Sequence, residues 1–174
     1  IMVGTGQGAK RGILIKGGEH LEKAHCINTV LLDKTGTITK GEPEVTDVLA
    51  LADFKEEEIL RLAGTVEKLS EHPLALAIVK KAEEEGIKLG NVQDFKALPG
   101  FGVEARFEGK EVLIGNWRLM KQKSIPYDEG VPLKDKLEEE GKTAMLLALD
   151  GKLAGILAVA DALKETSAKG IGKL

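Results

Sequence analysis

The most apolar stretch of the chain, residues 143–160, is interrupted in its middle by Asp150-Gly151-Lys152, and that interruption decides what it can become. A run of about 18 or more uncharged apolar residues would suit a membrane-spanning helix. Here two charges fall at the centre, and Asp-Gly between two apolar runs is a strong hairpin signal. The stretch therefore reads as two strands, 143–149 and 152–159. No other window comes closer to a membrane span, so the segment is expected to be soluble by itself. With 174 residues, 43% of them hydrophobic, it can bury a substantial core in one or two domains.

Elsewhere the pattern alternates helical and strand segments. Residues 1–12 carry Gly4, Gly6 and Gly8, whose spacing fits neither a dinucleotide loop nor a Walker-type phosphate loop, and they read as loop or helix-end glycines. Ile13 to Ala24 gives a short amphipathic segment. Gly41-Glu42-Pro43 reads as a break and a hinge. Ile59, Leu62, Ala63 and Val66 have helical spacing within 55–69, and 73–85 repeats the pattern up to Gly86, a C-cap. Short strands follow at 92–98, 102–107 and 110–114, the last two joined at Glu108-Gly109. Asn116 caps a helix through Met120, residues 133–140 form another helix stopped by Gly141, and a further helix starts at Asp161.

The most reactive-looking segment is Val30-Leu31-Leu32-Asp33-Lys34-Thr35-Gly36-Thr37-Ile38-Thr39. Three apolar residues suited to a buried strand deliver a carboxylate to a strand end. A cation, a glycine and three hydroxyls follow. A lone Asp after a strand usually caps a turn. Beside such donors it suits nucleophilic attack on a phosphoryl group, giving an acyl phosphate while neighbouring groups hold the equatorial oxygens.

Three further clusters hold chemistry-bearing residues. In Glu67-Lys68-Leu69-Ser70-Glu71-His72-Pro73, Ser70 can cap a helix and Pro73 suits its first turn. His72 then lies at the helix start, either as part of the cap or as a ring that meets a flat heteroaromatic ligand. Gly100 and Gly102, flanking Phe101, permit close backbone approach to a ligand or simply form a bulge. At Gly115-Asn116, a strand ends and a helix begins, where amides can receive phosphate oxygens and Asn116 could bond a nucleotide.

Taken in order, Asp-Lys-Thr-Gly-Thr, Ser-Glu-His-Pro, Gly-Phe-Gly-Val and Gly-Asn resemble the cytoplasmic ATP-binding part of the heavy-metal-transporting P-type ATPases, of which copper exporters are the best known. The likeness covers essentially the whole chain. No Lys-Gly-Ala motif, used against adenine by calcium and sodium pumps, is present. The resemblance implies an α/β fold: a mainly antiparallel sheet flanked by helices, forming a nucleotide-binding domain at 41–157. That domain would be inserted into an incomplete Rossmann-like phosphorylation domain of the haloacid-dehalogenase type, contributed by 1–40 and 158–174.

By the same resemblance, Asp33 would accept the γ-phosphoryl group of ATP, and Lys34, Thr35 and Thr37 would orient it. Asp33 and Thr35 would hold Mg²⁺, with a backbone carbonyl contributing. Glu67 and His72 would contact adenine, Gly100 and Gly102 would line the nucleotide, and Gly115 and Asn116 would complete the pocket. Hinge closure would bring ATP to Asp33. Thr35 stands where the related phosphatases place a second Asp for acid–base work. A threonine cannot do that proton chemistry near neutral pH, so the aspartyl phosphate would persist.

The implied setting is a cytoplasmic part of a membrane pump, with the pump's membrane and actuator domains as partners and the transported metal, copper on this resemblance, bound elsewhere. The family's Thr-Gly-Asp and Gly-Asp-Gly-x-Asn-Asp segments do not appear in these 174 residues. The expectation is a piece that binds ATP but phosphorylates Asp33 poorly. A free-standing phosphatase or phosphotransferase with a cap, or a nucleotide-binding module without chemistry, are the alternatives. Net charge of −3 with both signs intermixed gives no basic footprint for nucleic acid. The single Cys26 excludes an internal disulfide and reads as a small buried residue.

Overall fold

A computed structural model describes residues 2–173, and a single six-stranded sheet organises most of them. Its strands are β1 (Thr39–Ala50), β2 (Gln93–Leu98), β3 (Gly102–Phe107), β4 (Lys110–Gly115), β5 (Thr143–Leu149) and β6 (Lys152–Leu163). They lie in the order β1-β6-β5-β4-β3-β2, with every pairing antiparallel. The β5–β6 hairpin forms as the sequence requires. Asp150 and Gly151 both take positive φ, 45° and 78°, the signature of a tight turn whose twist matches its strands. Glu108 and Gly109 do the same between β3 and β4, at 52° and 81°.

Helices cover both faces of this sheet: α3 (Glu56–Glu67) and α4 (Pro73–Glu84) on one, α5 (Trp117–Gln122) and α6 (Val131–Glu139) on the other. The period-two rule of strands divides the side chains accordingly. Val112, Ile114, Leu147 and Leu157 join Ile59, Leu62, Val66 and Ile78 in the larger core. Their strand neighbours Leu113 and Leu146 pack instead with Leu119 and Met120, and Ile156 packs with Leu137. Burial on both faces explains why β5 and β6 read as continuous apolar runs rather than alternating ones. Helix α4 ends as expected: Gly86 N–H bonds to Glu83 O and Ile87 N–H to Ala82 O, satisfying the last carbonyls.

The chain divides into two compact units, Ile1–Asp33 and Lys34–Leu174, the second holding the sheet. The first contains α1 (Met2–Lys10) and α2 (Gly18–Lys23), neither with a buried residue. Gly4, Gly6 and Gly8, read as loop or helix-end glycines, lie within α1. Cys26, expected to be buried, is exposed.

Other local expectations also change. Val30-Leu31-Leu32 lies in an irregular segment and joins no ladder among the described residues, and its residues are 50%, 94% and 42% exposed. A strand is stable only where a neighbour takes its N–H and C=O groups, and every ladder here lies between Thr39 and Leu163. The supposed break at Gly41-Glu42-Pro43 lies inside β1. An edge strand needs partners on one side only, so proline is tolerated, and a register skip between Thr39 and Pro43 absorbs the extra residues. Asp161 opens no helix. It sits in β6 opposite Pro43, and the short helix α7 (Ser167–Ile171) follows later.

Candidate functional site

Five separate stretches of the chain meet at one cavity of about 350 Å³. The end of α3 brings Glu67, and the start of α4 brings His72. The β2–β3 turn supplies Gly100, the start of β3 supplies Gly102, and the β4–α5 junction supplies Gly115 and Asn116. Leu74, Ala75, Val103 and Met145 add apolar walls. All six residues that the sequence singles out for nucleotide contact therefore line a single space. Asp33, Lys34 and Thr35 are not among its lining residues.

Glu67 is 3% exposed. Burial pushes its carboxyl up to about 7, against the opposing effect of a hydrogen bond from Ser70. Near neutral pH the group therefore populates both its acid and its carboxylate form, able to donate to or accept from a neighbouring heterocycle.

The cap of α4 is His72 rather than Ser70. Leu74 N–H donates to His72 Nδ1 at 3.2 Å, Pro73 takes the first helical position, and Ser70 Oγ accepts from His72 N–H at 3.3 Å. Accepting at Nδ1 fixes the tautomer of the neutral ring, leaving Nε2–H as its donor.

The glycines have distinct reasons. Gly100 turns the chain at φ 77°, with nothing within 4 Å of where a Cβ would stand. Gly102 and Gly115 face one another across β3 and β4. A Cβ on Gly102 would stand 2.0 Å from Ile114 O, and one on Gly115 would stand 2.1 Å from Phe101 O. These two are required by the approach of one backbone to another, before any ligand is considered.

Asn116 locks the same corner. Its Nδ2 donates to Gly100 O at 2.8 Å, while its Oδ1 accepts from Arg118 N–H at 3.0 Å and Leu119 N–H at 3.2 Å. The side chain thus consumes two of the amides that the sequence reading offered to phosphate. Among the described residues no lysine or arginine lines the cavity; the titratable side chains there are Glu67 and His72. The space suits a flat, uncharged heterocycle better than a polyphosphate. A second cleft of about 420 Å³ lies beside β1, α3 and α4, but Asp47, Glu56, Glu57 and Glu85 outnumber Lys81 along it, and that excess of negative charge would repel phosphates.

Asp33 is the last residue of the first unit, and Lys34 begins the second. Both are exposed, as is Thr35. Lys34 Nζ donates to Gly141 O at 3.2 Å. Among the described residues no group of three or more His, Cys, Asp or Glu could hold a metal ion. The sequence did not single out Thr143, Ala144 and Met145 as cavity residues. Their signal was the β4–β5 pairing, which sets Leu146 beside Gly115.

The family profile described as haloacid dehalogenase-like hydrolase matches residues 27–174. The chain belongs to this family. Among curated relatives, this hydrolase-family chain is 42% identical over 174 residues to a copper-exporting P-type ATPase of Bacillus subtilis, covering 100% of the chain and 22% of the relative. A silver-exporting P-type ATPase of Salmonella typhimurium is 44% identical over 96% of the chain and 20% of its own length. The chain thus spans about a fifth of the curated relatives it matches. Among solved structures, a zinc-transporting PIB-type ATPase in the E2.Pi state superposes with a TM-score of 0.83 at 36% identity, over 99% of this chain and 28% of that one. Among the described residues no helix is long and apolar enough to cross a membrane.

Proposed function

We propose that this chain is the nucleotide-binding and phosphoryl-accepting portion of a heavy-metal-exporting P-type ATPase. The observation that carries the reading is the convergence of Glu67, His72, Gly100, Gly102, Gly115 and Asn116 on one cavity without cations. The cavity takes the adenine ring. Nε2–H of His72 and the Glu67 carboxyl supply its polar edge, apolar walls sandwich its faces, and the phosphates extend outward. Residues 41–157 form the nucleotide-binding domain, and 1–40 with 158–174 belong to the phosphorylation domain.

Asp33 is the acceptor. One carboxylate oxygen attacks the γ-phosphorus of ATP, and the bond from that phosphorus to the β–γ bridging oxygen breaks. ADP leaves with the electron pair, and an aspartyl phosphate remains. Lys34 offsets charge on the transferred group. Mg²⁺ commonly binds through one or two carboxylates with phosphate oxygens and water. Asp33 and Thr35 fit that role as an incomplete set finished by the nucleotide, and the ion would neutralise phosphate charge. Thr35, lacking an acid–base group, leaves the acyl phosphate unhydrolysed until other domains of the pump act. The exported cation is copper, by likeness to the copper exporters.

Titration calorimetry tests the base-binding part directly. ATP binds this chain saturably, GTP binds more weakly, and His72→Ala lowers ATP affinity by about tenfold, the loss of one or two polar contacts. Equal binding of both nucleotides, or an unaffected variant, removes the adenine assignment.

A further inference from the structure

The segment from Lys34 to Glu42, a turn followed by the first residues of β1, is held from a distant part of the chain. Asp161 Oδ2 lies 2.5 Å from Thr39 Oγ1, and Asp161 Oδ1 accepts from the amides of Gly41 at 2.9 Å and Glu42 at 3.2 Å. Thr39 is 1% exposed. Its oxygen accepts from Gly36 N–H at 3.1 Å, and its single proton has the Lys34 carbonyl at 2.9 Å as an alternative acceptor. A carboxylate is the stronger and nearer acceptor, so the proton points to Asp161. Two neighbours of Asp161 complete the grip. Lys164 donates from its amide to Ile38 O at 3.0 Å and from Nζ to Gly36 O at 2.5 Å, and Ser167 Oγ donates to Ile38 O at 2.6 Å.

We propose that Asp161 is a positioning residue for phosphoryl transfer: by accepting from the Thr39 hydroxyl and the Gly41 and Glu42 amides, its carboxylate sets the shape of the loop that follows Asp33. The inference rests on the reading of Asp33 as acceptor. Asp161 does not line the nucleotide cavity, so it acts on the transfer step and leaves base binding alone. A carboxylate is required because it accepts at both oxygens. An asparagine amide turned toward Thr39 presents a donor where an acceptor is needed.

The test uses the full-length protein that contains this chain, and it follows both phosphorylation of Asp33 by ATP and nucleotide affinity. Asp161→Asn and Thr39→Val slow phosphorylation by about 10- to 100-fold, the scale of a small misplacement of a reacting group. Nucleotide affinity stays within about twofold. Thr39→Ser, which restores the hydroxyl, recovers most of the rate lost in Thr39→Val. A merely structural role would not give this split between rate and affinity, nor the rescue. Phosphorylation of Asp161→Asn at the unaltered rate, or a loss of affinity matching the loss of rate, overturns the positioning role alone. An unaltered protein that is never phosphorylated at Asp33 overturns the acceptor reading as well. Should Asp161→Asn fail to fold, the Thr39→Val and Thr39→Ser pair decides.

Discussion

Around the cavity, the chemistry is built into the core: Glu67 is 3% exposed at the end of α3, and Gly102 and Gly115 stand where two strands press together. Around the proposed acceptor, Asp33, Lys34 and Thr35 are exposed, and the following segment is shaped by hydrogen bonds that Asp161 accepts and that Lys164 and Ser167 donate. The contrast assigns different vulnerabilities. Damage to the cavity should appear as lost stability together with lost binding. Damage to the acceptor loop should appear as lost chemistry in a protein that remains folded.

The sharpest way to break this contrast is Asp33→Asn. In the full-length protein it abolishes phosphoenzyme formation. In the 174-residue chain, thermal unfolding shifts by no more than about 2 °C, as for an exposed substitution. A large drop in the melting temperature would show that the acceptor segment supports the fold after all.

The cavity side is probed next by a pair of glycines separated by one residue. Gly102→Ala forces a methyl group against Ile114 O and costs more than about 3 kcal/mol in urea unfolding, enough to abolish a marginal fold. Gly100→Ala meets no atom within 4 Å and bears only the strain of φ 77°, about 1 kcal/mol. Equal costs at the two sites would mean that backbone crowding does not explain Gly102.

Glu67 gives a smaller, pH-dependent effect. Its folded-state value of about 7 stands above the ordinary 4.5. A raised carboxyl value means that the folded state holds its proton more tightly. The stability this adds is full below about 4.5 and is lost as pH rises through about 7. Glu67→Gln lacks that slope and should exceed the parent at pH 8 by up to about 3 kcal/mol. Urea midpoints at pH 5 and pH 8 measure it, and parallel behaviour of the two proteins would place the proton elsewhere.

Legibility in the sequence followed how local each signal was. The β5–β6 hairpin was readable because Asp150-Gly151 encodes its turn in two residues. Helices α3 and α4 were readable from a single apolar stripe each. The cavity residues were readable as motifs, while their reasons for being there were not: Gly102 and Gly115 answer to a strand pairing, and Asn116 answers to α5 and Gly100. What sequence reasoning misread depended on distant partners. Pro43 looks like a break until β1 is known to be an edge strand, and Val30-Leu31-Leu32 looks like a core strand although no described neighbour pairs with it. Asp161 looked like a helix start because nothing near it in sequence reveals Thr39, Gly41 and Glu42 as its partners.

The crossing of Gly102 and Gly115 also constrains how this protein can change over generations. A clash with a side chain can be relieved by trimming that side chain, so a second-site suppressor is available. Here the nearest obstacles, Ile114 O and Phe101 O, belong to the main chain, which no codon change removes. A genetic selection for revertants of Gly102→Ala should therefore return glycine itself at position 102 and few compensating changes elsewhere.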